Sequence, residues 1–186
     1  MRKLVFVAAL LLGFCAVSAA QDVPQFEVFG GWNLILPEDN DAVDYFNGWE
    51  GSFVVNANEY AGVVIDVSGT YGSLVDNGSD LGTISSYSFL FGPQIRIPAS
   101  EKVVPFVRAL FGAAHFRPPS DLEGNEAGQL NDNGLAMAFG GGVDIRFNDR
   151  FSIRPAQVEF ITYRLDGEFI NGARFGAGVV FNIGER

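Results

Sequence analysis

The sequence predicts an all-β protein, an eight-stranded antiparallel up-and-down transmembrane β-barrel. Three observations lead there: the number of strand-length segments, the alternation of gap lengths between them, and a period of two in side-chain polarity. Eight segments follow residue 24, at about Gln25–Leu34, Trp49–Ala57, Tyr60–Tyr71, Ser85–Ile97, Val103–Phe116, Leu135–Phe147, Phe151–Arg164 and Ala173–Ile183. The gaps are tight at Asn58–Glu59, Pro98–Lys102 and Asn148–Arg150, and longer at Ile35–Gly48, Gly72–Ile84, Arg117–Gly134 and Leu165–Gly172. Strands long enough to cross a bilayer, joined by short turns at one end and long loops at the other, are what a membrane barrel requires. An even number of strands places both termini at the short-turn end.

Within each strand the side chains alternate. In Leu135–Phe147 one parity reads Leu135, Met137, Phe139, Gly141, Val143, Ile145 and Phe147, and the other Ala136, Ala138, Gly140, Gly142, Asp144 and Arg146. The third strand sets Val63, Ile65, Val67 and Tyr71 against Gly62, Val64, Asp66, Ser68 and Thr70. The second and last strands divide the same way. Successive side chains of a strand point to opposite faces, so each strand has one apolar face and one small or charged face. A soluble, lipocalin-like barrel would turn the apolar face inward around a ligand. Its outer face would then carry long charged residues of both signs densely. Here the polar parity holds arginines and acids among glycine and alanine with almost no lysine, a set that suits a narrow lumen. The apolar parity therefore faces lipid.

The N-terminus reads as an export signal. Met1-Arg2-Lys3 is basic, Leu4 to Cys15 is apolar, and Ser18-Ala19-Ala20 offers the small residues at which a signal peptidase cuts, with cleavage expected after Ala20. Phe14 precedes Cys15 where a lipoprotein signal needs a small residue, and the apolar run is too short for a spanning helix. The division is a cleaved signal peptide at 1–20 and a single barrel domain at 21–186. Cleavage removes the only cysteine and two basic residues, leaving 10 basic against 22 acidic residues and a net charge of −12. Disulfide and thiol chemistry are thereby excluded from the mature chain, and nucleic acid is an unsuitable partner.

Collected across the strands, the polar parity gives Glu27, Glu50, Asp66, Asp144 and Glu159 beside Arg96, Arg108, Arg146, Arg154 and Arg174. Five acids meet five arginines. A closed interior demands such balance, because an unpaired buried charge costs several kcal/mol, and arginine's planar fork can satisfy carboxylates bidentately. An eight-stranded interior is just wide enough to be filled by side chains, so the set is expected to plug the barrel rather than conduct. Arg154 and Glu159 have opposite parity. A bulge near Pro155-Ala156 would bring both inside, and proline is tolerated at a bulge.

Aromatic residues on the outward parity fall into two groups, as interfacial girdles should. Trp32, Trp49, Tyr71 and Tyr87 lie toward the loop end, and Phe26, Phe147, Phe151 and Phe181 toward the turn end.

With strand number, loop alternation and the closing segment Ala173-Arg174-Phe175-Gly176-Ala177-Gly178-Val179-Val180-Phe181 in view, the chain resembles the small outer-membrane barrel family of the OmpA membrane domain and OmpX, over essentially the whole mature length. The resemblance implies bacterial outer-membrane residence, lipid and lipopolysaccharide as neighbours, and insertion by the barrel-assembly machinery through an aromatic-rich last strand. The chain departs from that pattern in ending Ile183-Gly184-Glu185-Arg186 instead of on a phenylalanine.

The long segments are acidic, with Glu38, Asp39, Asp41 and Asp44, then Asp76 and Asp80, then Asp121, Glu123, Glu126 and Asp132, then Asp166 and Glu168. They could meet an unidentified surface ligand. Asp76-Asn77-Gly78-Ser79-Asp80 and Asn131-Asp132-Asn133-Gly134 fall short of a full calcium-loop pattern, so solvated acidic loops are the simpler reading. Some small barrels hydrolyse lipid A acyl chains with histidine and serine. His115, the only histidine, is followed by Phe116-Arg117 and so lacks a serine in the His-x-Ser spacing such a site would suggest. No catalytic, metal or cofactor site is expected. The functional expectation is a structural or surface-interaction barrel, with a channel for small or hydrophobic solutes as the alternative and a lipid-modifying enzyme behind it.

Overall fold

The computed structural model describes residues 24–38, 43–76, 79–117, 133–165 and 168–185. These form β1 (Pro24–Pro37), β2 (Phe46–Asn56), β3 (Ala61–Asp76), β4 (Ser79–Arg96), β5 (Val103–Arg117), β6 (Asn133–Arg146), β7 (Phe151–Leu165) and β8 (Glu168–Glu185). Each strand pairs antiparallel with the next and β8 pairs with β1, closing the barrel. Closure leaves no unpaired edge, which is the condition for strands to cross a hydrocarbon layer.

The three tight turns share side-chain chemistry. Asn58 Oδ1 accepts from the backbone N–H groups of Tyr60 and Ala61, each at 2.8 Å. Asn148 Oδ1 accepts from Arg150 and Phe151 at 3.0 and 2.9 Å. In the third turn Ser100 Oγ accepts from the Val103 N–H at 3.0 Å. Such side chains supply a local acceptor where the ladder stops.

Two of the expected long loops are mostly strand. Residues 72–76 pair with 79–84 as the outer end of the β3–β4 hairpin, with a register shift between Leu74 and Val75 and Gly82 at a φ of 108°. Leu165 likewise pairs with Glu168, and β8 extends through the segment read as loop. Both extensions lie beyond the apolar stretch of the wall. There the outward parity no longer has lipid to match, so the period of two that marks a membrane strand fades from the sequence.

Opposed residues do not return to their starting point. The path Val28, Phe53, Ile65, Phe91, Phe111, Met137, Thr162 and Asn171 comes back at Glu38, whose N–H donates to the Asn171 carbonyl at 2.7 Å. Hydrogen-bonded rows therefore climb toward the loop end on going from β1 to β8. A stagger of this size sets the strand tilt and an interior that side chains can fill.

The outward parity is exposed and apolar, as at Val63, Ile65, Phe89 and Phe139, while the inward parity is buried, as at Val64, Asp66, Leu90 and Ala138. Register slips between Arg154 and Gln157 on β7, opposite a slip between Val143 and Ile145 on β6. Pro155 and Ala156 both face outward at this bulge, so Arg154 and Glu159 both face the lumen.

Candidate functional site

The middle of the lumen is a closed ion-pair cluster drawn from five strands. Arg108 on β5 reaches Glu50 on β2 (Nη2 to Oε1, 2.7 Å) and donates through Nε and Nη2 to the two carboxylate oxygens of Glu159 on β7. The same Nη2 lies 3.3 Å from Asp66 Oδ2 on β3. Arg174 on β8 donates from Nε to Glu159 Oε2 at 2.7 Å and from Nη1 to Asp66 Oδ1 at 3.1 Å. All five side chains are fully enclosed. Glu159 is the hub, since it accepts from both guanidinium groups. Glycine makes the space: a Cβ at Gly140 would stand 2.9 Å from Glu159 Cγ and closer still to the β7 backbone.

Nearer the turns, Arg154 grips Asp144 with two bonds, Nε to Oδ1 at 2.8 Å and Nη2 to Oδ2 at 3.1 Å. Its guanidinium lies between the rings of Phe29 and Phe106, 4.5 and 4.2 Å from their centroids. A cation held between two rings gains from both quadrupoles. Gly142 and Gly178 are the floor of this clamp, because a Cβ at either would come within 3 Å of a Phe106 or Phe29 ring carbon. Gln157 joins the two networks, accepting from Arg154 Nη1 at 2.9 Å and donating to Glu50 Oε1 at 2.9 Å. At the turn end Arg96 Nη1 stands 2.7 Å from Glu27 Oε1, which also accepts from Asn56 Nδ2 at 2.8 Å.

Nine of the ten charged residues expected inside are thus in ion pairs. Arg146 is the exception: the last residue of β6 is half-buried at the turn mouth and makes no ion pair among the described residues. Water can reach it there. The sealed part of the lumen consequently holds four arginines against five acids. Sequence parity missed the neutral members Gln157 and Asn56 and the ring clamp. Phe29 shares parity with Glu27, and Phe106 with Arg108, which is the signal that would have found the rings.

The loop half of the lumen is different. Ile35, Leu90, Leu110, Ala114, Ala136, Ala138, Ile161 and Tyr163 form a buried apolar cluster, with Phe46, Phe116 and Ile170 packed on it, and the cluster continues toward the turns through Val54 and Val64. Phe116 and Tyr163 meet edge to face at 5.2 Å.

On the outer wall Trp32 opposes Trp49, Tyr71 meets Tyr87 edge to face at 6.3 Å, Phe26 stacks on Phe53 at 5.7 Å, and Phe151 meets Phe181 at 5.0 Å. Phe147 is exposed in its turn. Because the rows climb, Tyr87 stands higher than Trp32 although both lie on one row through Trp49 and Gly69. The tryptophans therefore sit lower on the wall than the tyrosine pair.

His115 faces outward at the loop end, with Nδ1 2.9 Å from Asn133 Oδ1. Among the described residues no group of three or more His, Cys, Asp or Glu side chains could hold a metal ion. The expected signal segment, the acidic run 118–132 and part of each calcium-like stretch, residues 77–78 and 131–132, lie outside the described residues.

A family model for the outer membrane protein beta-barrel domain matches residues 6–185. The chain belongs to this family. Compared directly, its sequence matches no curated protein. Among solved structures it is similar to Neisserial surface protein A (NspA), with a TM-score of 0.64 at 11% identity over 86% of this chain and 97% of that one. OprG from Pseudomonas aeruginosa gives 0.60 at 13% identity over 87% and 97%. Ail, the attachment invasion locus protein of Yersinia pestis, in complex with the heparin analogue sucrose octasulfate, gives 0.52 at 20% over 86% and 99%. At these identities the likeness is one of fold. The small eight-stranded outer-membrane barrel is the shared architecture, and in this chain its lumen holds the buried arginine and acid network.

Proposed function

We propose that this member of the family serves a structural or surface-interaction role in a bacterial outer membrane and is not an open pore. The observation that carries this reading is the fully enclosed Arg108–Arg174–Glu159–Glu50–Asp66 cluster across the middle of the lumen. An ion crossing it would have to displace guanidinium–carboxylate pairs that are fully enclosed by the barrel wall. In this reading residues 1–20 are removed on export, the barrel-assembly machinery inserts the chain, and the acidic loops stand outside, beside lipopolysaccharide, available to a surface ligand. No enzymatic role is assigned to His115, whose partner is an asparagine and not a nucleophile.

Purified mature protein in planar bilayers should give no stable conductance steps, and regular steps would overturn the closed reading. A second reading, passage of small apolar solutes, draws on the apolar loop half of the lumen. Proteoliposomes should take up a small apolar fluorophore no faster than protein-free vesicles. Faster uptake without conductance would favour the second reading.

A further inference from the structure

Four arginines serve the sealed lumen. Two others, Arg117 on β5 and Arg164 on β7, are exposed at the loop end on the outward parity, with His115 beside them. In a chain of net charge −10 this grouping of cations on one wall stands out.

The two arginines are held against the wall. The Arg117 guanidinium lies 5.4 Å from the centroid of Tyr87, and that of Arg164 lies 5.6 Å from the centroid of Phe169. Cation–ring contact occupies one face of each guanidinium and leaves its edge donors available. The His115 ring is fixed through Nδ1 by Asn133, on the strand between the two arginines. Neither arginine is within ion-pair distance of a carboxylate among the described residues.

Register brings the three to one level. Arg164 opposes Leu135, which opposes Ala113, so along the hydrogen-bonded row Arg164 lies two residues below His115. The climb of the rows raises β7 over β5 by about two to three residues, which returns Arg164 to a height between His115 and Arg117. Two strand spacings, roughly 10 Å, separate the β5 and β7 backbones. Two arginine side chains can converge on one anion across that gap. The level is at or just above the Tyr71–Tyr87 pair, where an aromatic girdle meets the headgroups. Among the described residues of the same rim the exposed acids are Glu38 and Asp44 on the opposite side and Glu168 at the tip of the β7–β8 hairpin.

We propose that Arg117, Arg164 and His115 form a site on the outer wall for the phosphate of a membrane-anchored lipid in the outward leaflet. The inference rests on the outer-membrane placement of the barrel but not on its being closed. Arginine forks suit phosphate oxygens. The ring-backed guanidinium groups face the headgroup layer sideways, where a lipid phosphate lies and a soluble anion is merely dilute. Such a contact would anchor one wall of the barrel to phosphorylated lipid while Glu38 and Asp44 repel it on the other.

The test is native mass spectrometry of the full mature barrel released from micelles holding diphosphorylated lipid A or the same lipid stripped of phosphate. The wild type should retain the phosphorylated lipid roughly tenfold better or more. Arg117→Gln with Arg164→Gln should bring retention down to the dephosphorylated level. Arg117→Lys with Arg164→Lys, which keeps the charge but loses the fork, should retain the phosphorylated lipid less well than the wild type and better than the glutamine pair. Lys102→Gln with Arg150→Gln, at the turn end, should change nothing. Folding of each variant is checked by gel mobility before and after boiling, and a membrane-reading failure would show there as loss of the heat-dependent shift. Equal retention of both lipids by the wild type, undiminished retention by the glutamine pair, or displacement by millimolar inorganic phosphate would overturn the site.

Discussion

The turn half and the loop half of the lumen are filled by opposite means. From the turns to the middle, the space holds Arg96–Glu27, Arg154–Asp144 and the cluster around Glu159. Above it the filling is mainly apolar and carries no charge, from Ile35 and Ile161 to the Phe116–Tyr163 contact, with the neutral Asn33, Thr70, Ser86 and the Ser68–Ser88 hydrogen bond among the apolar side chains. Polar filling needs a backbone that holds donors and acceptors to a few tenths of an ångström. The turn half has that rigidity, because its strands are tied by three short turns, each with its own side-chain acceptor. Apolar packing is non-directional and tolerates the two long connections, 38–45 and 118–132, which lie at the other end. It also excludes water from the ion pairs beneath, so the two fillings are complementary rather than redundant.

The largest expected effect is in the polar half. Glu159→Gln removes the carboxylate shared by Arg108 and Arg174 and should destabilise the barrel by about 3–5 kcal/mol in reversible urea unfolding in lipid vesicles. Asp66→Asn should cost less, because five acids meet four arginines in the sealed lumen and Asp66 makes the weaker contacts. If Asp66→Asn proved the more damaging, Glu159 would not be the hub.

Next is the Arg154–Asp144 pair. Asp144→Asn and Arg154→Gln should each cost about 3–5 kcal/mol, and the double variant clearly less than their sum. Strict additivity would show that the pair contributes nothing as a pair. In the apolar half Ile161→Ala should cost about 2–4 kcal/mol from lost burial and the cavity left behind. It should also leave planar-bilayer conductance at zero, since the ion pairs lie below. Conductance appearing in Ile161→Ala would mean that the apolar layer, not the ion-pair cluster, is the seal.

Much of this was legible because a strand's period of two is absolute. Asp66, Arg108, Arg174 and their partners announce themselves by sharing parity with glycine and alanine on strands whose other face is apolar. Even the β7 bulge is visible, since Arg154 and Glu159 can both be inside only if Pro155-Ala156 interrupts the alternation. For Arg146 parity gives the face but not the height: the last residue of β6 turns inward at the mouth, half-buried, and not in the sealed lumen. The Phe29–Phe106 clamp was hidden for the converse reason: aromatic residues on the polar parity look like noise until Gly142 and Gly178 are seen to clear space for them. The outer extensions of β3, β4 and β8 escaped because a hairpin above the membrane need not present an apolar outward face to lipid. The Arg117–Arg164 level depends on the stagger, a property of the closed sheet that no single strand encodes.

The smallest expected effect concerns the turns that give the polar half its rigidity. Asn148 accepts two backbone bonds at an exposed turn, and Asn58 does the same between β2 and β3. Water can replace part of what Asn148→Ala removes, so the cost should be about 1 kcal/mol rather than the several expected in the lumen. Asn148→Asp keeps the acceptor and should restore most of that stability. The turn is also the link between β6 and β7, which carry Asp144 and Arg154 on either side of it. If turn rigidity is what allows polar filling, Asn148→Ala should couple to the Asp144–Arg154 pair. Its cost should shrink when that pair has already been removed, and stay unchanged when combined with Ile161→Ala in the apolar half. Equal costs in all three backgrounds would separate the turn from the ion pairs, and the contrast between the two halves would then need a cause other than backbone rigidity.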